Sequence, residues 1–107
     1  MMKARIQTIT ALSPSIKRIV LAPAAHGLFP TAAAGAHIIV SIPGPQRVWK
    51  NAYSLVSQPN DRAHYEIIVR RVARSRGGSA WLHDHAAVGQ VLEISGPANL
   101  FPIAKPA

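Results

Sequence analysis

The stretch that decides the fold is "HYEIIVRRVARSRGGSAWLHDHAAVGQVLEISGP", residues 64–97. It opens with Ile67, Ile68 and Val69, a β-branched run of strand composition. Gly77 and Gly78 then interrupt it, and "GGSAWLHDHAA" (77–87) is the one segment with helical spacing. There Trp81, Leu82 and His85 fall one turn apart, with Ser79 near the N-terminus. A helix this short must be held by tertiary packing. "QVLEISGP" (90–97) returns to strand character and is stopped by Gly96-Pro97.

Working outward, four more strands precede it, each bounded by Pro, Gly or polar residues. "KARIQTITAL" (3–12) alternates, with Ala4, Ile6 and Thr8 on one side and Arg5, Gln7 and Ile9 on the other. "SIKRIVLAP" (15–23), "AHIIVSIPG" (36–44) and "RVWKNAYSLVS" (47–57) follow. Helical crossovers between the strands are missing, which argues against a parallel α/β sheet. The pattern predicts an all-β domain: a six-stranded antiparallel Greek-key barrel with one short helix before the last strand. Spacing alone does not give the strand order. The 107 residues suffice for one core, so residues 1–107 are read as a single domain.

Composition excludes several classes of function. Apolar residues make up 49% of the chain and charged residues 15%, the balance of a folding sequence. The absence of cysteine excludes a disulfide scaffold, a thiolate zinc site and an iron–sulfur cluster bound by this chain. The apolar runs are far shorter than the roughly 20 residues of a membrane-spanning helix. "MMKARIQTIT" carries no apolar segment behind its basic residues, so a cytoplasmic location is expected. His83 and His85 are two apart on the helix and point to different faces, and His26, His37 and His64 lie apart, so no metal site is expected. No Gly-x-Ser-x-Gly elbow marks a hydrolase.

The net charge is +8. Arg70, Arg71, Arg74 and Arg76 crowd one segment, whereas Lys3, Arg5, Lys17 and Arg18 are spread along strand exteriors. The six aromatic residues do not interleave with the arginines, as base stacking on a nucleic acid would require. One local basic cluster suits a phosphate or an acidic protein partner, not a long polyanion.

Two segments carry candidate chemistry. In "RRVARSRGGSAWLHD" (70–84), Gly77 and Gly78 allow close backbone approach to a ligand and lead into a helix start that favours an anion. Ser79 adds a hydroxyl, and Arg70, Arg71 and Arg76 add charge. The same Gly-Gly-Ser also serves as a plain turn with a cap, and pattern alone leaves both readings open. In "NAYSLVS" (51–57), Tyr53 and Ser54 read by themselves as ordinary strand residues.

Taken together and in this order, "YSL", "RGGS" and "VGQVLEISGPANLFPI" resemble the flavin-binding barrel of the ferredoxin-reductase superfamily. The resemblance is closest to the phthalate dioxygenase reductase and vanillate demethylase reductase group. It implies that Tyr53 packs against the isoalloxazine ring and that Ser54 stands near the ring nitrogen where hydride arrives, with Leu55 following in its matching place. It also implies that Val69, Arg70 and Arg71 line the ring and phosphate. Gly77, Gly78 and Ser79, with Arg76 adjacent, would hold the phosphate of FMN, which is expected in preference to FAD. Asn51 falls where that family has arginine, and an amide brings hydrogen bonds but no charge. Lys50, one residue away on a strand, points to the opposite face. No side chain is assigned to the chemistry itself.

In the resembling reductases a nicotinamide-binding domain and a [2Fe–2S] domain follow the barrel; neither is legible here. The expected function is the flavin-binding component of an NAD(P)H-dependent oxidoreductase that passes electrons to an oxygenase-type partner. Alone, the chain is not expected to complete transfer from NAD(P)H to the acceptor. The nicotinamide and iron–sulfur domains, or an oxygenase component, would come from a protein partner. The alternative is a non-enzymatic barrel subunit that has lost the flavin and docks a partner reductase or oxygenase chain.

Overall fold

The structure, a computed structural model, describes residues 2–33, 35–44, 46–58, 60–71 and 77–99. Its elements are β1 (Met2–Ser13), β2 (Ile16–Pro23), β3 (Ala36–Pro43), β4 (Val48–Ser54), β5 (Tyr65–Arg70), α1 (Gly78–His85), β6 (Val91–Ile94) and a two-residue β7 (Ala98–Asn99). The expected strands and the helix before the last main strand are all present; the short β7, paired with β3, is an addition. All pairings are antiparallel, in the order β4-β3-β6-β1-β2-β5. β6 returns to lie beside β3 after the chain has run through β4 and β5, which is the Greek-key return.

The sheet curls until its outer strands meet, but closure is slight. β4 and β5 share no ladder and touch through an isolated bridge, Leu55 to Ile67, with the Val56 N–H donating to the Glu66 carbonyl at 2.9 Å. The barrel is thus a curled sheet with a seam, and α1 packs against β3, β4 and β5 beside that seam. Among the described residues no helix is long and apolar enough to cross a membrane.

The core follows from alternation. Ile38, Val40 and Ile42 on β3, Tyr65, Ile67 and Val69 on β5, and Leu92 and Ile94 on β6 all turn inward. Each fully buried side chain of this size contributes roughly 1.5–3 kcal/mol. On β1 the expected alternation holds only to Ile6. The register passes from Ile6–Leu21 to Thr8–Val20, so Gln7 is an extra residue in a bulge. The bulge reverses the facing: Thr8 is exposed, and Ile9, expected on the outer side, packs against the core. It falls where β1 parts from β6, just beyond the Ile6 bonds to Gly89 and Gln90. Gly89, at φ 95°, makes the turn into β6 that those bonds require.

The "FPTAAAGA" connection between β2 and β3 is pinned from the β5 side. Phe29 stacks on Tyr65 with ring centroids 4.1 Å apart. The Tyr65 hydroxyl donates to the Pro30 carbonyl at 2.6 Å, and Arg62 Nε donates to the Phe29 carbonyl at 2.8 Å. Burial pushes the Tyr65 phenol above its ordinary pKa, with the Arg62 charge opposing.

Candidate functional site

Strand alternation on β4 sets Trp49, Asn51 and Tyr53 on one face and Val48, Lys50, Ala52 and Ser54 on the other. The first face meets the beginning of α1. Tyr53 is only 8% exposed, and its hydroxyl lies 2.7 Å from Ser79 Oγ. Asn51 stands beside both. In the amide orientation that satisfies both of its ends, Asn51 Oδ1 accepts from the Ser79 backbone N–H at 3.2 Å, and Nδ2 donates to the Lys50 carbonyl at 3.2 Å. Gly77, which begins the helix with φ −95°, has no side chain with which to cap it. Asn51 therefore caps the helix from a neighbouring strand, taking one of the N–H groups that every helix start leaves without an intrahelical partner.

The two glycines differ sharply. A Cβ on Gly78 would lie 2.6 Å from Ile42 Cδ1 and 3.1 Å from Trp49 Cβ, so the missing side chain lets α1 sit down on β3 and β4. A Cβ on Gly77 would meet nothing within 4 Å among the described residues. Trp49 and Ile42, which form this seat, had no signal in the sequence beyond their inward alternation.

At its other end α1 is tied to β2 and β5. Lys17 Nζ donates to the His83 carbonyl at 2.6 Å, a cation on a carbonyl oxygen of the last helical turn. Arg71 Nε donates to both Asp84 carboxylate oxygens, at 2.9 and 3.1 Å. His83 is buried, with Nδ1 3.2 Å from Asp84 Oδ1 and Nε2 without a hydrogen-bond partner among the described residues. The Arg71 bond foremost, then the His83 bond, hold the exposed Asp84 carboxyl below its ordinary pKa.

The structure thus brings together Asn51, Tyr53, Gly77, Gly78 and Ser79. The other candidates stand apart from this cluster. Ser54 faces away from Tyr53 and is exposed, its backbone paired with His37. Leu55 is buried at the seam and bonds the Ala36 carbonyl at 2.8 Å. Val69 is fully enclosed in the core, so any contact it offers a ligand is through its backbone. Arg70 is exposed at the end of β5, and Arg71 is engaged by Asp84. Arg76 lies outside the described residues, as does Arg74. Among the described residues no three His, Asp or Glu side chains are grouped to hold a metal.

A curled antiparallel sheet in this order, with a short helix set across its seam and a polar cluster at the helix start, defines the barrel of the ferredoxin-reductase superfamily. The chain belongs to the oxidoreductase FAD-binding domain family, which its sequence matches over residues 3–102. It is 42% identical over 103 residues to the heme-dependent oxidative N-demethylase beta subunit of Ectopseudomonas mendocina (strain ymp), covering 96% of this chain and 32% of that protein. The carnitine monooxygenase reductase subunit of Escherichia coli (strain K12) is 37% identical over 103 residues, covering 96% and 32%. The solved structure of phthalate dioxygenase reductase superposes with a TM-score of 0.84 at 29% identity, covering 96% of this chain and 31% of that one. The chain therefore spans about a third of the length of these curated relatives. The cofactor class of the family is a flavin.

The residues fit such a group. Among the described residues nothing crowds the backbone at Gly77, next to the Ser79 and Tyr53 hydroxyls, so these groups would be the ones to hold a phosphate at the start of α1.

Proposed function

We propose that this chain is the flavin-holding domain of a cytoplasmic NAD(P)H-dependent reductase that serves an oxygenase partner. One observation carries the reading: the Tyr53 and Ser79 hydroxyls, 2.7 Å apart, join the proposed ring segment to the proposed phosphate loop. When bound, the flavin supplies the conversion of a two-electron donor into single electrons. The protein's part is to hold and orient it. Tyr53 is proposed to meet the ring from the inner face of β4, while Ser54, on the opposite face, would reach it only past the strand edge; Leu55 and Val69 belong to the core beneath. Gly77, Gly78 and Ser79 offer backbone and hydroxyl donors to the phosphate, with Arg70 and Arg76 raising the local potential, while the charge of Arg71 is offset by Asp84.

The relatives support the role, being subunits of an N-demethylase and a carnitine monooxygenase. Nicotinamide-binding and iron–sulfur domains would act alongside this one, in the same chain or in a partner. FMN is the flavin proposed, because the cluster at the start of α1 accounts for one phosphate and no group among the described residues is assigned to an adenine.

The test is direct. Purified protein should be yellow or become so with FMN, and the flavin released on denaturation should co-migrate with FMN. Protein that takes up neither FMN nor FAD sinks the proposal; released FAD overturns only the choice of FMN.

A second reading has its own support: Tyr53 is nearly enclosed and Asn51 already caps the helix, as in a barrel that docks a partner without flavin. A flavin-free complex of fixed stoichiometry with an oxygenase or reductase chain would select it.

A further inference from the structure

The start of α1 lies beside Tyr53 and carries backbone donors that a phosphate could meet, and the protein has already put a side chain there. Asn51 Oδ1 holds the Ser79 N–H, while Tyr53 Oη holds Ser79 Oγ. Both bonds run from β4 to the same residue of the helix. The position cannot simply swing aside, because Gly78 is wedged against Ile42, Trp49 and the Asn51 amide itself. Lys50, the cation adjacent to Asn51, is on the opposite face of β4 and exposed. Arg71, the described arginine nearest in sequence to the loop, is taken by Asp84. What β4 presents to an incoming anion is therefore a neutral amide whose oxygen occupies the Ser79 N–H, one of the donors that the anion would use.

We propose that Asn51 is a specificity-determining residue that competes with the flavin phosphate for the start of α1, so that the domain distinguishes weakly between FMN and riboflavin. The inference rests on the flavin reading above. A phosphate gains from the N–H groups of a helix start only after displacing whatever already bonds them. Here the displaced group is an amide that would have to find another donor within a packed seat. Ring recognition at Tyr53 does not involve that exchange and is the same for both flavins.

The experiment is titration of the full chain with riboflavin and with FMN, followed by flavin fluorescence, for the natural protein and two variants. In the natural protein the two dissociation constants should agree within about tenfold. Asn51→Arg supplies a charge-assisted donor in place of the amide and should tighten FMN by about tenfold or more, with riboflavin nearly unchanged. Asn51→Asp keeps an acceptor for the Ser79 N–H but adds a negative charge, and should weaken FMN selectively. A natural preference for FMN beyond about tenfold overturns the inference while leaving the flavin reading intact. So does an Asn51→Arg change that moves both flavins alike. Binding of neither flavin overturns the inference together with the reading it rests on. The comparison in the natural protein decides the matter even if a variant fails to fold.

Discussion

Gly77 and Gly78 are neighbours under opposite constraints, and substitution should separate them. Gly78→Ala places a methyl 2.6 Å from Ile42 Cδ1, so overpacking of about 1–3 kcal/mol outweighs the helix preference of alanine. Gly77→Ala meets open space at an ordinary φ and should cost under about 1 kcal/mol, the loss of a favourable cap residue. Urea midpoints check this, and equal losses at the two sites would refute the packing account. Tyr53→Phe removes the bond to Ser79 Oγ while keeping the ring, so it should lower stability by about 0.5–1.5 kcal/mol. These residues also show what a sequence discloses at this scale. The Gly-Gly pair read as backbone brought close to a ligand; at Gly78 the close approach is to the protein's own β3 and β4. That Asn51 and Lys50 would face opposite ways was legible from strand alternation. That Asn51 would cap a helix 28 residues further on was not, because such a cap exists only once the sheet has curled.

At the scale of elements, the helix and the main strands were legible because Pro and Gly punctuate the chain and β-branched runs fill the intervals. The facing of β1 beyond Ile6 was not: a bulge adds one residue without leaving a composition signal at Gln7. Helix α1 was recognisable by elimination, and what holds it is a set of ties to other elements. One of these has a pH signature. Arg71 and His83 depress the pKa of Asp84 below its ordinary 3.8, so the charged form favours the folded state. The contribution is present above pH 3.8 and is lost as pH falls through the lower folded value. Asp84 is exposed, so the effect is modest. Asp84→Asn should melt lower than the natural protein near neutral pH, and the gap should narrow on acidification below 3.8. A Tm difference that stays constant through that range would show that the pair with Arg71 does not stabilise the fold.

Across the whole molecule, the seam between β4 and β5 is the weakest line of the sheet. β2 meets β5 in a six-pair ladder and β3 meets β4 in a seven-pair ladder, whereas β4 and β5 share the single bridge at Leu55 and Ile67. Helix α1 spans that seam like a clasp. Asn51 and Tyr53 grip its beginning from the β4 side, and Arg71 grips its end from the β5 side. The sequence disclosed the strands on either side but not the seam, since closure depends on the accumulated twist of six strands and on no local motif. The proposed flavin contacts lie on both halves of the clasp, so a bound flavin should restrain what the backbone ladder leaves loose. Ligand at a hundred times its dissociation constant stabilises the folded state by about 2.7 kcal/mol. Hydrogen exchange should locate that gain. The amide of Val56, which bonds Glu66 across the seam, and the first turn of α1 should exchange early in the free protein and slow markedly with flavin. Amides of the β1–β2 ladder, remote from the clasp, should change little. Protection spread evenly over both regions would mean that flavin stabilises the barrel as a whole and does not close its seam.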